Sequence, residues 1–335
     1  MKKNLDQPKV VVIGGGHGLN TLLSGLKKRT PHITAVVTVA DDGGGSGMLR
    51  EDLHMPPPGD IRNCLQALAN VEPLMHDLLS YRFAEGSLKG QSFGNLFLAA
   101  LNGISGSFDE AVQHMSDVLA ITGRVLPVTT ADVKLEALFE NGTAVVGESK
   151  IMDFKKEQDC RITQVRLLPE RSAALPATLH AIEQADYIIL GPGSLYTSII
   201  PNLLVDGVVP AIVKAKALKL YVLNIMTQEG ETEGYSAADH VEALLKHGAP
   251  GMFDICLANS GHVRPELRER YLGEGASPIA VDAARIRRMG IHLISRPLSS
   301  KTSHYAHHSS QRLAEALMEL YGTWRTEHRI EAVKL

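Results

Sequence analysis

One stretch near the start constrains the fold more than any other. Val10 to Ile13 is a short β-branched run, Gly14-Gly15-Gly16-His17-Gly18 follows it, and Leu19, Leu22, Leu23 and Leu26 then recur at helical spacing before Ile33 to Val39. A strand apolar on both faces must be covered on both faces, which is the condition of a parallel sheet sandwiched by helices. Strand, glycine turn, helix, strand is therefore the expected opening, and any all-helical or all-β reading is excluded.

The rhythm recurs along the chain. Ile61 to Ala69, Leu74 to Phe83, Leu96 to Leu101 and Ala111 to Ala120 read as helices, and Asp41 to Pro58 as a long glycine-rich loop. Loops of that length inside a compact domain are usually functional. Lys134 to Phe139, Asn141-Gly142 and Thr143 to Val146 predict a β-hairpin with a type I′ turn. With Arg161 to Leu168 it forms a small β insertion at about 124–170. Beyond it, Leu179 to Gln184 (helix), Tyr187 to Leu190 and Leu220 to Asn224 (strands), Ala237 to His247 (helix), Phe253 to Ala258 (strand), Ala283 to Arg288 (helix), His292 to Ser295 (strand) and Gln311 to Tyr321 (helix) continue the alternation. The prediction is an α/β fold, a mainly parallel sheet with helices on both faces and a small β-hairpin insertion, in one domain over residues 1–335.

Composition narrows the partners. The net charge of -3 leaves no basic footprint for nucleic acid or an anionic membrane, and 44% hydrophobic residues suffice for a sizeable core. Cys64, Cys160 and Cys256 are odd in number and lack CxxC spacing, which suits a reducing compartment without a disulfide framework. Met1-Lys2-Lys3 is basic, but the following apolar run is too short for a signal segment, and Tyr187 to Val205 is interrupted by Gly191, Pro192, Gly193 and Pro201. The expectation is a cytoplasmic protein without membrane insertion; a homo-oligomer is left open.

Five polar loops carry the candidate chemistry. Gly14, Gly15, Gly16, His17 and Gly18 lie between strand and helix, where glycines admit a phosphate to the helix N-terminal amides. The dinucleotide fingerprint is incomplete, because Thr21 stands at the third glycine position. Asp41 and Asp42 end the second strand, where an acid can reach a ribose hydroxyl or hold Mg²⁺. In Pro57-Pro58-Gly59-Asp60-Ile61-Arg62-Asn63, Asp60 fits a helix N-cap, and Arg62 is a cation where a helix disfavours one unless an anion is bound. Gly191, Pro192, Gly193 and Ser194 suit a second phosphate contact or, more simply, a helix capped by Ser194. Asn224 to Thr232, with Thr227, leaves the next strand at the same sheet edge. Two features are weaker: Ser92 and Asn95 could cap a helix or touch a ligand, while His304, His307 and His308 lack a paired acid at ligand spacing and read as solvated loop histidines.

Taken as a set, Gly14 to Gly18, Asp41 to Gly47, Pro57 to Asn63, Gly94-Asn95, Gly191 to Ser198 and Asn224 to Thr232 resemble the signatures of the gluconeogenesis factor family, bacterial proteins related to 2-phospho-L-lactate transferase. The resemblance runs from about Lys9 to about Leu320. It implies a Rossmann-like core binding a nucleotide or nucleotide-sugar, a UDP-sugar, and a role in growth and cell shape on gluconeogenic carbon. It also implies that Tyr271, in Arg270-Tyr271-Leu272-Gly273, contacts the nucleotide sugar. The related transferases use Mg²⁺ and move a phospholactyl group from a guanosine diphosphate donor onto a deazaflavin. Two departures stand out: His307-His308-Ser309 replaces an Arg-His-Asp-like triplet, and Gln91 stands where many members have histidine.

The resemblance implies two competing functions, a nucleotide-sugar-binding regulator without turnover and a Mg²⁺-dependent transferase, and the lack of an evident acceptor-activating base in the sequence favours the first. A nicotinamide oxidoreductase fits less well because of Thr21. No acid–base pair can be placed from the sequence, so no catalytic residue is assigned.

Overall fold

The computed structural model describes residues 7–300, 303 and 305–333. β1 (Val10–Gly14) leads into α1 (Gly16–Leu26) and β2 (Ile33–Val37). Then come α2 (Gly44–Leu53), α3 (Gly59–Leu68), α4 (Pro73–Ser80), α5 (Phe93–Ile104), α6 (Phe108–Val118) and β3 (Arg124–Pro127). The insertion comprises β4 (Lys134–Phe139), β5 (Ala144–Val146), α7 (Glu148–Gln158) and β6 (Ile162–Leu168). After it lie α8 (Pro176–Glu183), β7 (Tyr187–Leu190), a π-helical turn (Leu195–Ile199), α9 (Ile200–Leu203), α10 (Val208–Lys214) and β8 (Leu218–Val222). The chain closes through α11 (Ala237–His247), β9 (Ile255–Asn259), α12 (Pro265–Gly273), α13 (Ala283–Arg288), β10 (His292–Arg296) and α14 (Ser310–Val333).

Among the described residues the main sheet has seven strands in the order β10-β9-β8-β7-β1-β2-β3, with every neighbouring pair parallel. All five residues of β1 are buried. Its side chains alternate between two cores, Val10 and Val12 packing with α1 and α14, and Val11 and Ile13 with α8 and α11. The α/β, Rossmann-like expectation holds. The chain builds outward from β1 through β2 to β3, then returns to the other side of β1 with β7. Strand order therefore reverses at β1 and β7, and a crevice opens at their carboxyl ends.

Three local expectations are corrected. The loop expected from Asp41 to Pro58 contains α2, despite its glycines. Its buried Arg50 supplies what propensity lacks, donating to Asp132 Oδ1 (Nε, 3.0 Å) and to the Val133 carbonyl (Nη2, 2.5 Å). Glycine is required in that helix, since a Cβ on Gly47 would lie 2.1 Å from the Asp42 carbonyl oxygen. The hairpin exists as expected, but its turn is not type I′. Only Gly142 has positive φ (83°), and the Gly142 amide donates to the Phe139 carbonyl, so Glu140-Asn141-Gly142 is a three-residue loop closed by a left-handed glycine. The insertion is not purely β, because α7 separates β5 from β6, and β3, at its expected start, belongs to the main sheet instead.

Candidate functional site

At the crevice above β1 and β7 lies a cavity of about 490 Å³. Gly16, His17 and Gly18 form one wall, Pro192, Gly193 and Ser194 a second, and Asn224 to Glu229 the floor. The two glycine loops touch backbone to backbone. A Cβ on Gly18 would sit 2.7 Å from the Pro192 carbonyl oxygen, and one on Gly193 2.9 Å from that of Gly15. Gly16 needs its residue type for conformation, with φ at +67°. Buried Asn202 ties the loops together, its Nδ2 donating to the Gly14 (3.1 Å) and Ser198 (2.8 Å) carbonyls. Asn224 holds the Gly193 peptide by both ends, accepting its amide and donating to its carbonyl. The α1 N-terminus at this cavity has no side-chain cap of its own and no acid in its first turn. Its amides and dipole are those an anion would seek.

The second glycine loop differs. Glu231, 1% exposed, accepts the amides of Leu195 (3.1 Å), Tyr196 (2.9 Å) and Thr197 (2.9 Å) at the start of the π-helical turn. A carboxylate of the protein thus occupies the helix start that the sequence offered to a phosphate. Nor does Ser194 cap it; its hydroxyl donates to Gln228 Oε1 at 2.7 Å. Gly193 and Ser194 shape the cavity wall. Burial pushes the Glu231 carboxyl up to about 7, against the three amides that favour its charge.

Beyond Asp60 lies a second cavity of about 210 Å³, lined by Asp41, Gly43 to Ser46, Gly59, Asp60, Asn63, Asn95 and two arginines. Asp60 is not the N-cap of α3, which is Pro58; it stands in the first turn and accepts the Gly16 amide, linking α3 to the glycine turn. Burial, then the charge of Asp41, raises Asp60 to about 6. Asp41 itself is raised by burial, and its Oδ1 accepts the Gly43 amide at 2.9 Å. Asp42 has another task. Its two oxygens accept the Glu148 (3.0 Å) and Ser149 (2.9 Å) amides, capping α7 from over a hundred residues away, and it lines neither cavity. Asp42 is thus engaged on α7, while Asp41 stands beside Asp60 in the small cavity. Capping by Asp42 brings in Glu148, whose carboxyl rises to about 8 through burial and the charges of Asp41 and Asp42.

Thr227 lines the large cavity while its hydroxyl accepts the Ser277 amide; Thr232 is internal, its hydroxyl accepting the Gln228 amide. Gly14, Gly15 and Gly191 back the loops without lining either cavity. Tyr271 does line the large one, with Arg270 stacked over its ring. His307 and His308 line it too, and His308 is not solvated: it is 8% exposed, and burial holds its imidazole near 4, so it is neutral at pH 7. His304 lies outside the described residues. Among the described residues no three His, Cys, Asp or Glu side chains converge as metal ligands. Ser92 caps α5, accepting the Asn95 amide at 3.2 Å, which leaves the Asn95 side chain for the small cavity.

Sequence reasoning missed Glu148, Met152 and Lys156, all on α7. Met152 and Lys156 reach the large cavity, where Lys156 pairs with Glu229 at 3.3 Å. Apolar Ile151 and Phe154, three apart, were the available signal for this helix. Nothing local marks its remote cap. Cys64, Cys160 and Cys256 are free and buried, and among the described residues no helix is long and apolar enough to cross a membrane.

Comparisons with known proteins agree with this architecture. The profile of the family described as 2-phospho-L-lactate transferase CofD matches residues 10–299. A protein of Thermoanaerobacterium thermosulfurigenes is 55% identical over 316 residues, covering 94% of this chain and 98% of its own. The gluconeogenesis factor of Bacillus subtilis is 47% identical over 315 residues, with 94% and 98% covered. A solved structure of a UPF0052-family protein from Bacillus halodurans superposes with a TM-score of 0.89 at 42% identity, covering 94% of this chain and all of that one.

Proposed function

The chain belongs to the family of gluconeogenesis factors related to 2-phospho-L-lactate transferase, and from that footing we propose that it binds a UDP-sugar in the large cavity and acts as a regulator. The proposed role is support of growth and normal cell shape on gluconeogenic carbon; the name of the Bacillus subtilis relative, gluconeogenesis factor, supports the gluconeogenic part. The observation that carries the reading is the α1 N-terminus at the strand-order reversal, where Asp60 accepts the Gly16 amide and His17 and Gly18, in the same first turn, line the large cavity. The diphosphate lies on the His17 and Gly18 amides. Asn224 and Thr227 line the way to Tyr271, against which the base or sugar packs.

A second reading, group transfer of the phospholactate type, has one observation in its favour. Asp41, Asp60 and Glu148 are all raised, and clustered perturbed acids mark chemical sites. Asp41 and Asp60 would hold Mg²⁺, two carboxylates suiting an ion that keeps most of its waters and takes the rest of its ligands from phosphate. Bound there, Mg²⁺ would supply charge stabilisation to a leaving phosphate.

Incubation with UDP-N-acetylglucosamine separates the two. The regulatory reading expects the ligand to be recovered intact, with or without Mg²⁺, because backbone cradles give affinity without acting preferentially on a transition state. Cleavage of the diphosphate, with water or an added deazaflavin alcohol taking the transferred group and the uridine monophosphate leaving, lost in Asp41→Asn, would overturn the regulatory reading, and transfer to the deazaflavin would support the second.

A further inference from the structure

Residues 262–275, after β9, are pinned at both ends and barely held between them. At the start, Asn259 accepts the Gly261 amide at 2.9 Å and donates to the Gly261 carbonyl at 2.8 Å. The same Asn259 oxygen accepts the Leu298 and Ser299 amides, and a Cβ on Gly261 would lie 2.5 Å from Ser299 Oγ. At the finish, Thr227 and Ser277 bond reciprocally. The Thr227 amide donates to the Ser277 carbonyl at 2.8 Å, and the Ser277 amide to the Thr227 hydroxyl at 2.9 Å.

Between these clamps lies α12. Of its nine residues only Leu267 is buried, whereas α11, two residues longer, buries six. A helix this short is marginal on propensity alone. Tyr271 reaches the large cavity from α12, and Glu274 from the turn that follows. The other ties run to the cavity rim. Arg264 donates to the Ser303 carbonyl, and the Arg270 guanidinium lies 5.6 Å from the Tyr271 ring centre and 4.7 Å from that of Tyr305. Tyr305 stacks on His307, a residue of the cavity wall, at 5.4 Å. Tyr305 is half exposed, and cation–π contacts at exposed sites are weak. Gly275, with φ at +73°, gives a pivot beside the second clamp. Firm ends, a pivot glycine and a middle with little buried surface describe a unit that opens locally.

We infer that residues 262–275 form a lid over the nucleotide cavity, latched by Arg270 between the Tyr271 and Tyr305 rings, which opens in the free protein and is drawn shut by the ligand through Tyr271. The lid presupposes that a nucleotide sugar occupies the large cavity, as proposed for the function. A ligand shifts such an equilibrium only through contacts made better in one state, and Tyr271 makes its contact only when α12 is seated. Occupancy of an internal cavity thereby becomes order in a charged surface helix, a change that suits a regulator.

The test is amide hydrogen exchange on the full chain, with calorimetry on the same samples to report binding of UDP-N-acetylglucosamine. In the free protein the α12 amides are expected to exchange roughly 100-fold faster than those of α11. Saturating ligand should slow α12 roughly tenfold or more, leaving α4 unchanged. The control is matched, because α4 is an eight-residue helix that buries only Leu79 and lines neither cavity. Arg270→Gln should speed α12 exchange and weaken binding about tenfold, mainly through faster dissociation. Its melting temperature should not change, since Arg270 is exposed, and Arg270→Lys should recover much of the affinity. Calorimetric binding with α12 unslowed, or slowed no more than α4, overturns the lid and leaves the cavity assignment standing. Free-state exchange of α12 as slow as that of α11 also overturns the lid. Wild-type exchange and affinity in Arg270→Gln overturn the latch. Absence of calorimetric binding overturns the cavity assignment, and the lid with it.

Discussion

Gly16→Val is expected to weaken UDP-N-acetylglucosamine binding by roughly 100-fold or more while leaving the protein folded. Gly16 is the first residue of α1 with φ at +67°, a conformation β-branched side chains resist at a cost of about 1–3 kcal/mol. Relief of that strain turns the peptide and withdraws the neighbouring amides from the cavity. Charge-assisted hydrogen bonds contribute about 1.5–3 kcal/mol each, so losing two accounts for the effect. The fold survives because a Cβ at Gly16 meets only Ser198 Oγ, at 3.6 Å. Gly18→Ala is the contrast. Its methyl would strike the Pro192 carbonyl at 2.7 Å, so it should lower the melting temperature as well as the affinity. Calorimetric titration with circular dichroism checks both; an unchanged affinity in Gly16→Val would remove the phosphate from this turn.

The ligand-free protein should lose stability as pH rises from 6.5 to 8, and Glu148→Gln should abolish much of that loss. The Glu148 and Glu231 carboxyls are raised to about 8 and about 7 in the folded chain, against 4.5 for the ordinary side chain. Across this window the folded state holds protons that the unfolded state has released. Stability therefore falls by about 1.4 kcal/mol per pH unit for each such proton, and the fall ends above the folded values. Below 6.5 the sign is mixed. Buried His308, held near 4, makes the unfolded state the better proton acceptor and opposes the acids there. Glutamine reproduces the protonated carboxyl of Glu148, so the variant should melt higher than the unaltered chain at pH 8 and nearly equal to it at pH 6.5. Melting temperatures that are flat or rising between pH 6.5 and 8, or an undiminished slope in Glu148→Gln, would contradict this.

The fold was legible where burial and periodicity coincide. β7 and α11 lie where the apolar spacing put them, because β7 is a continuous buried run and α11 has a clear buried face. α2 was hidden because its helix rests on Arg50 reaching residues more than eighty positions away, against its own glycine content. The type I′ turn was inferred from a dipeptide, whereas the strand ends set the loop length. At the site, the glycine loops were readable because close backbone approach demands glycine. The roles of the acids were not. Asp42, Asp60 and Glu231 are alike in sequence, adjacent to glycine or glutamate loops, yet one caps α7, one holds the Gly16 amide and one caps the π-helical turn. Those roles depend on which distant amides the fold delivers, and no local pattern encodes them.

Diffraction from crystals grown with UDP-N-acetylglucosamine tests the central claim most directly. The account predicts density for one nucleotide sugar in the 490 Å³ cavity, its diphosphate on the His17 and Gly18 amides and its base or sugar against Tyr271. Density elsewhere on the chain, or a diphosphate seated at the Glu231-capped turn after β7 instead of on α1, would contradict it.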